Sequence, residues 1–217
     1  MHRNPVMFSS HTTLEGWQLT AARFGWLLIT ALILVLFILA VPSDYAQQYQ
    51  SASSEFSAAL AELGLSPVFL AAYRTAMNLL LAVAFIAAGI FIFLRKSDDW
   101  MVMLVSLTCS AFVVLFVPTL VRLMDAQPAY TLPVAFVRAF GLGASLIVFY
   151  YLFPDGRLVP GWLKPFMFVW IGMVVMWFAF PDAPFNLVFL YTWYNNLAPS
   201  FVVYALWFGS GVVAQIY

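Results

Sequence analysis

The sequence Tyr151–Trp162, YLFPDGRLVPGW, separates two strongly apolar runs and decides how the chain is divided. Pro154 fixes its own φ angle and cannot prolong a preceding helix. Asp155 favours turn geometry, and Gly156 tolerates the positive φ that the exit from a tight turn can require. We therefore predict a tight turn at Phe153–Gly156 that joins two helices.

The composition identifies the solvent of this protein. Hydrophobic residues make up 65% of the 217 residues and charged residues only 8%, whereas a soluble domain carries about a quarter charged residues. So few charges cannot cover a water-exposed surface, and we expect the lipid bilayer to be the main partner. Nine basic and nine acidic residues give no net charge, and no basic patch indicates nucleic acid.

The long apolar runs predict an all-α integral membrane protein, a bundle of six transmembrane helices with short amphipathic helices at the interfaces. The predicted spans cover residues 24–41, 67–94, 101–121, 132–153, 161–180 and 199–217. Residues 1–22 form a cytoplasmic or interfacial segment before the membrane domain 23–217. The segments 43–66 and 181–198 are predicted to be the two longer outer loops.

Local signals predict where the first helices begin and end. Pro42 and Asp44 are expected to end the first span. Within 43–66, Ser53 can cap a short amphipathic helix that Gly64 stops. Ser66-Pro67 then combines a cap with a proline at the first helical turn, which predicts the start of the second span.

Basic residues are unevenly distributed between the two predicted sides. Six lie on one side and three on the other, and the more basic side is expected to be cytoplasmic. The first group is Arg3, Arg23, Arg95, Lys96, Arg157 and Lys164, and the second is Arg74, Arg122 and Arg138. This bias places the N-terminus, and after six spans Tyr217, in the cytoplasm.

Three stretches resemble a known family. RKSDDWM (Arg95–Met101), FPDGRLVPGW (Phe153–Trp162) and the terminal GSGVVAQIY are similar to the N-terminal multi-span membrane domain of bacterial sensor histidine kinases of the Chloroflexi type. The resemblance implies a sensory input module in the bacterial cytoplasmic membrane, with a kinase core expected to follow the last span. The chain itself has no glycine-rich phosphate loop, and neither His2 nor His11 lies in a phospho-acceptor context, so we expect no enzymatic activity.

A second function stays open at this stage. Because the chain lacks an output domain and is rich in aromatic residues, it also fits a non-catalytic accessory subunit of a larger respiratory or photosynthetic membrane complex. A homodimer is a further candidate assembly. No predicted span contains a histidine that could ligate haem, Cys109 is the single cysteine, and we predict no cofactor and no metal.

Arginines within or beside the spans are the candidate ligand-binding residues, because a charge at membrane depth is costly. Arg74 and Asn78 share one face of the second span, Arg122 ends the third, and Arg138 lies inside the fourth. One interpretation is a pocket for an anionic or polar signal, a quinone or a lipid headgroup. The other is that each arginine extends to the outer interface or pairs with Asp125, Asp44 or Asp182.

Two further expectations concern orientation and coupling. Small residues at 141, 143 and 145 follow Arg138 and predict that its side chain points toward the bundle axis. Asp98 and Asp99 in one turn, and Asp155, Gly156 and Arg157 in the other, could pass a conformational change to a cytoplasmic partner. The favoured interpretation of these turn residues is structural, as turn formers and charge anchors.

Overall fold

The computed structural model describes residues 12–153 and 161–181 (without the side chains of 144–146), and positions 186, 188, 205–206, 209–210 and 212. The predicted turn with Asp155, Gly156 and Arg157 lies outside the described residues, as do most of the sixth span and of the loop before it. The described residues are helical almost throughout and contain no strand, only an isolated bridge between Thr13 and Asp99.

The α-helices of the described part are α1 Gly16–Ser54, α2 Ser57–Glu62, α3 Pro67–Arg95, α4 Trp100–Phe116, α5 Thr119–Ala126, α6 Thr131–Phe140, α7 Val148–Leu152 and α8 Lys164–Ala179. A π-helix, Gly141–Ile147, joins α6 to α7. Within the described residues, four helical stretches are long and apolar enough to cross a membrane, or five if the bent pair α4–α5 counts as one span. The chain is therefore a helical protein of the multi-pass membrane type.

The prediction that Pro42 and Asp44 end the first helix is wrong, because α1 continues to Ser54. A proline removes one backbone hydrogen bond from a helix. Beyond it, however, every fourth residue of α1 is buried, namely Asp44, Gln48 and Ala52. This stripe packs against neighbouring helices, and the packing outweighs the missing bond.

The segment between α1 and α3 differs in detail from its prediction as a loop over 43–66. Ser53 caps no helix; it lies inside α1, where its hydroxyl donates to the Tyr49 carbonyl (2.8 Å). The short helix α2 follows, and Gly64 ends it with φ +66°, as predicted. The predicted cap at Ser66 is confirmed, since its hydroxyl accepts from the Phe69 amide (3.1 Å).

The third span, predicted to be continuous over 101–121, is broken. α4 ends at Phe116, and α5 starts at Thr119 with its axis bent by 53°. Val117 has the extended conformation (φ −96°, ψ 121°) that a following proline imposes on its neighbour. Pro118 is therefore the cause of the break.

α1, α3 and α4 meet closely near the end where α3 turns into α4. The Trp26 indole stacks on Phe93 with ring centroids 3.8 Å apart and donates to the Ser106 hydroxyl (2.9 Å). Ser106 donates in turn to the Gly89 carbonyl (2.6 Å). A Cβ atom at Gly89 would lie 2.8 Å from the Ser106 carbonyl oxygen, so only glycine permits this approach of α3 to α4.

Two of the three hydrophobic core clusters of the described residues involve α6. Val134 and Val137 belong to the cluster that α1, α3, α4 and α5 form. Ala135 belongs to the cluster of α7, α8 and Val188. Arg138 is the next residue of α6 after Val137. Its charged side chain therefore lies where the two clusters meet.

We predict opposite effects for two glycine-to-alanine substitutions. Gly89→Ala should lower the free energy of unfolding by about 1–3 kcal/mol, because the added methyl group overpacks the α3–α4 contact. Gly172→Ala in α8 meets no atom within 4 Å and should be neutral or stabilise by up to about 1 kcal/mol through helix propensity. Thermal unfolding in the same detergent checks both, and equal midpoints would contradict the close approach at Gly89.

Candidate functional site

Charged residues on α1 and α3 mark two levels that match the boundaries of a bilayer. Arg23 and Asp44 on α1 lie twenty-one residues apart, as do Arg74 and Arg95 on α3, with no charged residue between them in either helix. At 1.5 Å per residue this spacing is about 32 Å, close to the ~30 Å of a hydrocarbon core. We name the level of Arg23 and Arg95 the turn side, and that of Asp44 and Arg74 the cluster side.

Five residues of α1, α3 and α5 form a polar cluster on the cluster side: Asp44, Gln47, Gln48, Asn78 and Arg122. Asp44 is fully buried, and its carboxylate pairs with the guanidinium of Arg122. Asn78 contributes two longer contacts from its amide nitrogen to the Asp44 oxygens, at 3.4 and 3.5 Å. The buried carboxylate therefore has a charged partner and a neutral donor from two other helices.

The two glutamines of α1 complete the surroundings of Arg122. With the Gln48 amide oriented so that its oxygen faces the guanidinium, that oxygen accepts from Nη1 (2.5 Å) and Nη2 (3.1 Å). The Gln47 amide nitrogen donates to the backbone carbonyl of Arg122 (3.0 Å). Arg122 is thus held by its side chain and by its backbone, which ties α5 to α1.

We predict a large loss of stability when one member of the buried ion pair is removed. Asp44→Ala or Arg122→Ala should lower the free energy of unfolding by about 3–5 kcal/mol, because the remaining charge keeps its burial cost without its partner. The double variant Asp44→Ala/Arg122→Ala should lose much less than the sum, since it leaves no buried charge.

A double-mutant cycle from chemical denaturation in detergent measures this coupling. Additive losses would show that the two side chains do not stabilise each other. Glu62→Ala on the exposed surface of α2 is the control, and it should change stability by less than about 0.5 kcal/mol.

The four arginine and asparagine candidates do not converge on one pocket in the described part of the chain. Arg122 and Asn78 meet at Asp44, which was the alternative that the sequence left open for Arg122. Arg74 lies one turn from Asn78 on α3, and its guanidinium covers the Phe56 ring at 4.9 Å. Arg138 occupies a different place, on α6.

Arg138 donates a hydrogen bond to a backbone carbonyl that the break between α4 and α5 leaves without its helical donor. In a continuous helix the Val114 carbonyl would accept from the amide of residue 118, but Pro118 has no N–H. Arg138 Nη1 donates to this carbonyl (2.8 Å), and its Nε donates to the Val188 carbonyl (2.5 Å). The side chain is 1% exposed, so the inward orientation predicted for Arg138 is confirmed.

Asn186 links the end of α8 to the same region. Its amide nitrogen donates to the carbonyls of Trp177 (2.8 Å), Phe180 (3.1 Å) and Pro181 (3.0 Å), the free end of α8. Its oxygen accepts from the Val188 amide (2.9 Å). Asn186 and Val188 are buried, so these two residues of the predicted outer loop 181–198 pack against the helices.

On the turn side, Asp98 and Asp99 form the junction between α3, α4 and the N-terminal segment. The Leu14 amide donates to the Asp98 carbonyl (2.7 Å), and the Trp100 amide donates to the Thr12 carbonyl (3.0 Å). The Asp99 carboxylate caps α4 by accepting from the Met101 amide (3.0 Å). These two residues thus have the structural role that the sequence favoured.

The environment of Asp99 lowers the pKa of its carboxyl group. Burial raises this pKa, but the Lys96 ammonium at 3.1 Å, the Thr12 hydroxyl and the amides of Met101 and Val102 together lower it more. A carboxylate that accepts several hydrogen bonds favours its charged form. The charge of Asp99 therefore stabilises the folded turn.

The sign of the pH dependence follows from this lowered pKa. The contribution of the Asp99 charge is complete above the unfolded-state pKa, near 3.8, and is lost as the pH falls through the lower folded-state value. Asp99→Asn keeps a capping oxygen but removes the charge. We expect it to cost about 1 kcal/mol at neutral pH, with a difference from wild type that shrinks below about pH 4. Thermal unfolding of both proteins between pH 3 and 7 measures it, and a pH-independent difference would contradict the assignment.

Sequence reasoning named Asp44 only as a possible partner of an arginine, and it missed Gln47, Gln48 and Asn186 as members of buried sites. Asp44, Gln47 and Gln48 are the three members on α1. These three lay in a predicted loop because Pro42 precedes them. The helical periodicity of α1 could have identified Asp44 and Gln48. Both continue the intervals of three and four residues that separate the buried positions 33, 36–37 and 40. Asn186 gave no comparable pattern.

The described residues contain no group of three or more histidine, cysteine, aspartate or glutamate side chains that could hold a metal ion. Comparison with known proteins adds no family: no family model matches the chain, and neither curated proteins nor solved structures gave a match. The structure therefore defines a helical multi-pass membrane protein with a buried polar cluster. The resemblance to sensor kinases stays a prediction.

Proposed function

We propose that this chain is the membrane sensory input module of a signal-transducing protein. One observation carries the proposal: α4 connects the two polar sites of the molecule. At one end its cap Asp99 binds the N-terminal segment. At the other end it bends at Pro118 into α5, which carries Arg122 of the polar cluster.

The cluster is a suitable place for a signal to act. A polar or anionic ligand that competes with Asp44 for Arg122 would release α5 from α1. Breaking a buried ion pair costs about 3–5 kcal/mol, and reversing a two-state population from 1:99 to 99:1 needs about 5.5 kcal/mol of differential binding. The cost of breaking this pair is thus similar in size to the differential binding energy that a two-state switch requires.

The direction of the signal follows the predicted topology. The turn side, with Arg23, Arg95 and Lys96, is the more basic side, and we assign it to the cytoplasm of a bacterial cell. A displacement of α4 would reach the Asp98–Asp99 junction there. An output domain such as the kinase core of the family that the chain resembles would receive it on that side.

A different observation favours the second candidate, an accessory subunit of a larger membrane complex. A groove of about 420 Å³ lies between α6, the π-helix and α8, and its lining is apolar. Its walls include Phe136, Phe140 and Phe178. A helix of another subunit could pack there, and such a role would need no communication between the polar cluster and the turn side.

Hydrogen exchange of the protein in lipid nanodiscs distinguishes the two functions. Arg122→Gln breaks the ion pair on the cluster side. If the chain is a sensory module, amide exchange at Leu14 and Trp100 on the turn side should accelerate by about tenfold or more, equivalent to ~1.4 kcal/mol of lost local stability.

Ser66→Ala is the matched control, because it removes a helix cap on the same side at a cost of about 1 kcal/mol without touching the polar cluster. It should leave exchange at Leu14 and Trp100 unchanged. Acceleration confined to the cluster side in Arg122→Gln would argue against sensing and for the accessory role.

A further inference from the structure

A second arginine on the cluster side has surroundings unlike those of Arg122. The Arg122 charge is balanced by Asp44, whereas Arg74 forms no salt bridge with any of the described residues. The nearby acid Glu55 accepts from the Ser51 hydroxyl (3.2 Å), and Glu62 is exposed on α2. Within the described part of the chain, the Arg74 charge at this membrane boundary is therefore not balanced by an acidic side chain.

The contact with Phe56 leaves Arg74 able to bind an anion. The Arg74 Cζ atom lies over the Phe56 ring, 4.9 Å from the ring centroid. This cation–π contact uses the charge of the guanidinium and none of its hydrogen-bond donors. The five N–H donors of a guanidinium lie in its own plane. Arginine binds phosphate through these edge donors, often in pairs.

The surface around Arg74 is suited to the headgroup region of a bilayer. Phe69 and Tyr73 stack on each other with centroids 6.3 Å apart, and both are more than half exposed. Tyrosines and other amphipathic rings concentrate at this level of a membrane. Further along α3, Leu80 and Leu81 are exposed at hydrocarbon depth, where they can contact acyl chains.

We propose that Arg74, at the corner between α2 and α3, binds the headgroup phosphate of a phospholipid in the leaflet on the cluster side. The spacing of Arg74 and Arg95 places Arg74 at the boundary of the hydrocarbon core, from which its long side chain can reach the phosphates. Phe56 holds the guanidinium at that level, and the exposed leucines of α3 lie along the lipid chain. This site is independent of the proposed sensory function.

Native mass spectrometry of the purified, delipidated full chain tests the site. Phosphatidylglycerol and a diacylglycerol with the same acyl chains, which lacks the phosphate, are titrated in parallel. The wild type should bind phosphatidylglycerol more tightly. Arg74→Gln should weaken that binding by about fivefold, the change expected for one basic residue at a lipid surface, and leave diacylglycerol binding unchanged.

Arg74→Lys is the control for charge alone, because it keeps the charge but not the paired edge donors, and its affinity should lie between those of the wild type and Arg74→Gln. Equal binding of the two lipids by the wild type would overturn the proposal without any variant. So would unchanged phosphatidylglycerol binding in a folded Arg74→Gln protein. Displacement of the lipid by an equal concentration of inorganic phosphate would identify a free anion as the ligand and also overturn it.

Discussion

A backbone carbonyl in a hydrocarbon environment must find a donor within the protein, and this constraint organises the centre of the bundle. Pro118 takes the donor away from Val114, and Arg138 replaces it. The same guanidinium reaches Val188, so one side chain connects α4, α6 and the segment after α8. The bend that it permits directs α5 toward α1. The ion pair between Arg122 and Asp44 therefore depends on the proline that lies four residues before Arg122.

Two prolines, Pro42 at the predicted end of the first span and Pro118 inside the predicted third span, show that local sequence does not settle whether a helix breaks. Pro42 also lacks an N–H, yet α1 continues through it for twelve residues. The two cases differ in how the residues after each proline pack. After Pro42, the buried positions Asp44 and Gln48 stay in phase with the earlier stripe, so a straight helix keeps its packing. After Pro118, the bend brings Leu120 and Leu123 into the core.

Sequence reasoning identified the apolar helices and most of the costly charges, because both depend on residue type and spacing alone. It singled out Arg122, Arg138 and Asn78 since charges and amides at membrane depth need partners. It named Asp44 as one of three acids that could pair with an arginine, and Arg122 does pair with it, although Asp44 was assigned to a loop. The acceptor of Arg138 is a backbone carbonyl that no side-chain pattern shows. A proline does release the carbonyl four residues before it, so the sequence could also have supplied Val114.

Asp44 and Asp99 are both buried carboxylates, but they depend on the fold in different ways. The Asp99 carboxylate accepts hydrogen bonds from residues of its own turn, Lys96, Met101 and Val102. Most of its hydrogen bonds therefore form together with the first turn of α4. Asp44 receives its donors from α3 and α5, which are distant in sequence. Its interactions exist only when three helices hold one arrangement. A perturbation at Asp44 must therefore act on helix packing, whereas one at Asp99 acts mainly on a local turn.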